Sequence, residues 1–135
     1  MVAAKQKVIQ TIGKRKEAVA RATLLPGTGI VKVNNQLLKH IKPQILQDRI
    51  MEPLILSEDV ASKVDIKVRV VGGGVQGQTE ASRLAVARAL VEFNKKLKKT
   101  FLDYDRNLLV ADIRTKEQRK PNDSKARASR QKSYR

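Results

Sequence analysis

Asp65-Ile66-Lys67-Val68-Arg69-Val70-Val71-Gly72-Gly73-Gly74-Val75-Gln76-Gly77-Gln78-Thr79 is the stretch that decides the fold. Its first part alternates with period two, which predicts a strand with Ile66, Val68 and Val70 inward and Lys67 and Arg69 outward. Gly72 to Gly77 reads as a glycine-rich loop. Thr79 is then placed to cap a helix over about Glu80 to Asn94. In that helix Ala81, Leu84, Val86, Ala87, Leu90 and Val91 form a buried stripe. Arg83, Arg88 and Glu92 fall toward the polar side, with Arg88 and Glu92 four apart. A half-buried strand followed by an amphipathic helix calls for a sheet with helices packed on it.

The flanking chain supplies the rest. Lys7 to Ile12 is β-branched and extended, and reads as a strand ending at Gly13. Ala18 to Leu25 is a second strand, with Val19, Arg21 and Thr23 sharing a face. Pro26-Gly27-Thr28-Gly29 is a turn, Ile30 to Val33 a strand, and Asn34-Asn35 the next turn. Together these predict a meander of antiparallel strands. Lys42-Pro43 opens a helical stretch with Ile45, Leu46, Arg49 and Ile50 at helical spacing. Pro53 is expected to interrupt it, with a second short helix from Leu54 to Ala61. Lys95 to Tyr104 continues as a basic helix, and Leu108 to Val110 is a short strand or a last anchor. The fold class is α+β: one compact domain with a mostly antiparallel sheet packed against helices. Residues 1–113 form the body and residues 114–135 an extended basic C-terminal tail.

In the tail, Arg114, Lys116, Arg119, Lys120, Lys125, Arg127, Arg130, Lys132 and Arg135 face only Glu117 and Asp123. There is no apolar periodicity, so the segment cannot bury enough surface to offset the entropy of ordering itself. It reads either as a solvated tail or as an arm that orders on a polyanion. The whole chain favours the arm. Its net charge is +16 over 135 residues, against magnitudes of roughly 2–8 that solubility asks of a small domain. Such a surplus calls for an anionic partner. No apolar run approaches a membrane span, and the polar start from Met1 to Lys7 does not read as a secretory leader. With no cysteine and one histidine, His40, far from any carboxylate cluster, neither a metal site nor a catalytic constellation is implied. Aromatics are limited to Phe93, Phe101, Tyr104 and Tyr134, so base stacking on a platform is not the expected mode.

Gly72-x-Gly74-x-x-Gly77 matches the dinucleotide fingerprint in form. The acidic residue expected about 20 positions on, at the end of a second strand, is missing: Glu92 lies too early and within the helix. Gln78 also stands where a phosphate loop needs lysine. The remaining readings are a tight strand-to-helix turn, or amides at a helix N-terminus touching an RNA phosphate. Lys14-Arg15-Lys16 reads either as a charged hairpin tip that prevents edge pairing or, with Arg21, as a phosphate-binding surface.

Five motifs occur in order: Gly13-Lys14-Arg15-Lys16-x-Ala18-Val19-Ala20-Arg21, Pro26-Gly27-x-Gly29, Met51-Glu52-Pro53-Leu54, Gly72-Gly73-Gly74-Val75-x-Gly77-Gln78, and Arg83-Leu84-Ala85-x-Ala87-Arg88-Ala89-Leu90-Val91. On these the chain resembles protein nine of the small ribosomal subunit over nearly its full length. The ending Gln131-Lys132-Ser133-Tyr134-Arg135 is similar to the archaeal and eukaryotic branch. The resemblance implies a non-enzymatic, cytoplasmic protein of the small subunit. Its body would bind ribosomal RNA in the subunit head beside neighbouring head proteins, and its tail would reach the peptidyl-site transfer RNA. Neither a cofactor, a small-molecule substrate nor a membrane is implied. The expected ribosomal RNA contacts are Lys14, Arg15, Lys16, Arg21, Arg69, Gly73, Gly74, Gln78, Arg114, Arg119, Lys120, Lys125, Arg127 and Arg130. The expected transfer RNA contacts are Lys132, Tyr134 and Arg135. A basic nucleic-acid-binding protein outside the ribosome would share the charge and the tail but not the five ordered motifs.

Overall fold

A computed structural model describes residues 7–121 and 125–127. Strands β1 (Ile9–Arg15), β2 (Ala18–Pro26), β3 (Val31–Val33), β4 (Gln36–Leu37) and β5 (Val64–Val71) form one sheet in the order β1-β2-β5-β3-β4. The helices are α1 (Gln44–Leu56), α2 (Glu58–Ala61), α3 (Val75–Phe93) and α4 (Leu97–Tyr104). The α+β class expected from the sequence is the class observed. The simple meander is not. β5 inserts between β2 and β3, antiparallel to β2 and parallel to β3. The fully apolar inward face of β5 explains its central place: Val64, Ile66, Val68 and Val70 are all buried, so two flanking strands protect it better than an edge would.

The core lies between one face of the sheet and α3. β2 contributes Ala18, Ala20, Ala22 and Leu24, and α3 contributes Ala81, Ala85, Val86, Ala87, Ala89 and Leu90. Alanines on both sides let helix and sheet backbones approach closely. Gly13 takes this furthest. A Cβ built there would stand 2.0 Å from the Ala81 carbonyl oxygen and 2.7 Å from the Ala85 amide nitrogen. Gly13 therefore does not end the first strand as its type suggests. β1 runs through it to Arg15, and the glycine marks where helix backbone meets strand backbone. Thr11 Oγ1 donates to the Ala85 carbonyl at 2.8 Å beside it.

Other boundaries shift for local reasons. Pro43 sits just before α1 as its N-cap, after a cis Lys42–Pro43 peptide. α1 runs through Pro53, whose ring is fully buried, and stops at Leu56, where Ser57 Oγ donates back to the Pro53 carbonyl at 2.7 Å. α3 begins at Val75 with Gly74 as its N-cap. Thr79 is therefore not the cap: it lies a turn inside the helix and donates to the Val75 carbonyl at 2.9 Å. α4 is separate from α3, because the chain turns extended at Asn94. Leu108 closes a 3₁₀ turn, Arg106–Leu108, rather than a strand, and its full burial makes it the last anchor of the body.

The turn before β3 is held by one carboxylate. Asp65 Oδ1 accepts from the amides of Thr28, Gly29 and Ile30 at 2.8, 3.0 and 2.9 Å. The Ile30 amide, then that of Thr28, holds the carboxyl below the usual carboxylate range. At the far end of β3, Asn34 pairs through its side-chain amide with Val70, accepting from its N–H at 2.9 Å and donating to its carbonyl at 3.3 Å. It prolongs the ladder after the strand has ended.

The contact at Gly13 yields a direct test. Gly13→Val forces α3 off β1 and is expected to destabilise the fold by about 3 kcal/mol, the upper part of the usual overpacking range. Urea unfolding followed by circular dichroism measures it, and an unchanged midpoint would contradict the close-packing account.

Candidate nucleic-acid interface

The sheet has one face covered by α3 and one face open. Alternation decides which side chains reach the open face: Gln10, Ile12 and Lys14 from β1, Val19, Arg21 and Thr23 from β2, Lys67 and Arg69 from β5. Register then brings the cations together. Arg21 lies directly opposite Arg69, and Lys67 opposite Lys32 on β3. Like charges in register destabilise a sheet. The open face is concave there, a groove of about 850 Å³ lined by these four cations among others and by no acidic residue. Lys14 sits on the same face, one row along, in register with Val19. Arg21 and Arg69, which motif and alternation pointed to separately, are thus neighbours. Lys32 and Lys67 belong with them and were missed as site residues. The outward alternation of Lys67 was the available signal; the place of Lys32 depends on the parallel pairing of β3 with β5, which pattern alone does not reveal.

The hairpin tip and the glycine turn form a second locality. Lys16 and Glu17 turn β1 into β2, with Lys16 at φ 53°. Gly72 and Gly73 pass over that tip at φ 76° and 64°. A Cβ at Gly72 would come within 2.6 Å of the Glu17 carbonyl oxygen, and one at Gly73 within 2.9 Å of the Ala18 amide nitrogen. These two glycines act as a tight strand-to-helix turn. Gly74 differs: nothing lies within 4 Å of where its Cβ would be, so that position has room for a side chain. Gln78 Nε2 is engaged locally, donating to the Gly72 carbonyl at 3.1 Å. Among the described residues no strand follows α3, so the unit cannot complete the βαβ that a dinucleotide site requires.

Several arginines are neutralised within the fold. Arg15 points to the covered side of the sheet and pairs with Asp112. Asp112 also holds Arg114, which donates through its backbone amide at 2.9 Å and through Nε and one terminal nitrogen at 3.0 and 2.7 Å. Arg83, placed by periodicity on the polar side of α3, is instead buried, paired with Glu52 and, at 3.1 Å, with Asp105. Burial opposes its charge, yet the bonds to Asp105 and Glu52 prevail and raise its pKa. α1 and the segment after α4 cover that side of α3, bringing Glu52 and Asp105 onto it. Arg88 does not pair with Glu92 but donates to the carbonyls of Leu109, at 3.2 Å, and Ile12, at 2.8 Å. In the tail, Arg119 and Lys120 are exposed, and Arg127 forks onto Glu117 at 2.8 and 3.2 Å. Lys125 is exposed as well. The expectations for Arg130, Lys132, Tyr134 and Arg135 lie outside the described residues. No helix among those described is long and apolar enough to cross a membrane.

Comparison with known proteins places the chain in a family. The model of a family described as ribosomal protein S9/S16 matches residues 13–135. The small ribosomal subunit protein uS9 of Methanococcus maripaludis, in three strains, is 45% identical to this chain over 133 residues, covering 96% of the chain and 99% of that protein.

The glycine turn separates a strained position from an open one. Gly73→Val is expected to destabilise the fold by about 1–3 kcal/mol, because it puts a branched side chain at positive φ against Ala18. Gly74→Ser, at an N-cap with free space, is expected to stay within about 0.5 kcal/mol of the parent. Thermal melts of the two variants side by side check this; equal losses would contradict the assignment of the turn.

Proposed function

We propose, from the plain fact that this chain belongs to the ribosomal protein S9 family, that its folded body docks on ribosomal RNA in the head of the small subunit and that its tail reaches the peptidyl-site transfer RNA. Membership makes it a structural, non-enzymatic protein of the small ribosomal subunit, working in translation. The observation that carries the reading is near end-to-end identity of 45% with a small-subunit protein. The charge distribution supports the finer parts. Un-neutralised cations collect on the open sheet face, while the root of the tail is fastened to the body through Arg15, Asp112 and Arg88. The tail therefore leaves from a fixed point, and exposed Arg119, Lys120 and Lys125 beyond it suit phosphates.

On this reading assembly precedes positioning. The body binds by shape and phosphate contacts. The tail orders as its lysines and arginines displace condensed counterions. Arg130 is expected along ribosomal RNA, and Lys132, Tyr134 and Arg135 at the transfer RNA. A terminal arginine suits that end because its planar fork grips a phosphate bidentately. Neighbouring head proteins complete the surroundings.

Two tests address the tail. If about five of its bases meet phosphates of irregular RNA, they contribute about −3.5 to the slope of log affinity against log salt, at roughly −0.7 each. Deleting residues 114–135 is expected to flatten the slope by that amount while the body still melts cooperatively; an unchanged slope would remove the tail as the electrostatic arm. Deleting Arg135 alone is expected to leave co-sedimentation with small subunits intact and to weaken peptidyl-site transfer RNA by about 1.5–3 kcal/mol. Normal transfer RNA dissociation from such subunits would end the claim that the tip touches it.

A further inference from the structure

The groove on the open sheet face is not needed by the fold and works against it. Arg21 and Arg69 face one another across β2 and β5, and Lys32 and Lys67 face one another across β3 and β5. Among the described residues none of the four has an ion-pair partner in the protein. Asp65, two residues from Lys67 on β5 and attracted to it, makes no ion pair with it among the described residues and spends its carboxylate on three backbone amides. We propose that this groove is the body's cradle for the ribosomal RNA backbone, holding successive phosphates without reading bases. The proposal rests on the ribosomal reading above and adds which face of the body the RNA lies against.

Spacing and chemistry both fit. Neighbouring strands stand about 4.8 Å apart, and residues two apart along a strand about 6.6 Å. The cations therefore form a staggered track across three strands, with Arg69 and Lys67 two apart on β5, Arg21 beside the first on β2 and Lys32 beside the second on β3, a path for a chain of regularly spaced charges. Two of the four are arginines, which can fork onto a phosphate, and two are lysines, which act as point charges. No aromatic residue lines the groove, so bases have no surface on which to stack. Gln10 and Asn35 at its margin offer amides suited to ribose hydroxyls. A protein partner is a poorer fit. Ile12 is the one large exposed apolar side chain lining the groove, and protein interfaces are anchored by buried aromatic and apolar groups.

The test uses the full chain and equilibrium binding to small-subunit ribosomal RNA over a range of salt. Arg21→Gln with Arg69→Gln removes two phosphate contacts and is expected to reduce the magnitude of the log–log slope by about 1.4–1.8, from 0.7–0.9 per contact. The same variant is expected to melt no lower than the parent, since a like-charge pair is relieved. Lys32→Gln with Lys67→Gln provides a second, independent pair with the same expectation. Folded variants that keep the parental slope overturn the proposal, and that is the result a groove built for an acidic protein segment would give. Failure of the parent chain to bind this RNA saturably would overturn the ribosomal reading itself, so the two failures are distinguishable.

Discussion

The close approach of α3 to β1 at Gly13 is the constraint on which the rest of the structure depends. Strand and helix backbones touch there with no side chain between them, and alanines on β2 and α3 continue the contact. α3 lies closest along that face, and Phe101 of α4 and Leu108 complete the core beside it. The other face is left uncovered by the body. Period-two alternation then sends every second residue of β1, β2 and β5 outward, and in this chain those residues include Lys14, Arg21, Lys67 and Arg69. Packing on one side thus fixes where charge accumulates on the other.

The same residue type serves opposite ends within one small domain. Arg83 and Arg88 tie elements together, the first through acids on α1 and after α4, the second through carbonyls of β1 and the residues following the last 3₁₀ turn. Removing one partner of a buried pair such as Arg83 with Glu52 leaves a charge stranded, so these arginines are committed to the fold. Arg21 and Arg69 have no such commitment. They add repulsion to a marginally stable domain, which makes sense only if an anion relieves it. Asp112 lies between the two classes: by holding Arg15 and Arg114 together it sets the point at which the tail departs.

Much of the fold was legible because it rests on local periodicity. The inward faces of β5 and α3, the turn at Pro26 to Gly29 and the anchoring of Leu108 follow from residue type and spacing. What escaped was tertiary. Insertion of β5 between β2 and β3 depends on which strand is flanked on both edges, and a pattern of alternation is the same in an antiparallel meander. Gly13 resembled a strand end because a glycine needed for backbone contact and one needed for a turn look alike in sequence. Periodicity alone puts Arg83 on the polar side, because nothing local announces that α1 covers it. At the site, Arg21 and Arg69 were recognisable one by one, but Lys32 joined them only through strand order.

A charged face left open by the core and relieved by RNA makes a prediction about the assembled particle. The most direct measurement is lysine modification of Lys32 and Lys67, read by mass spectrometry in the free chain and in purified small subunits that carry it. Both are expected to react readily in the free chain and to be strongly protected in the subunit, because phosphates lie over them. Equal reactivity in the two states would mean that the face stays open to solvent after assembly, and would contradict the account.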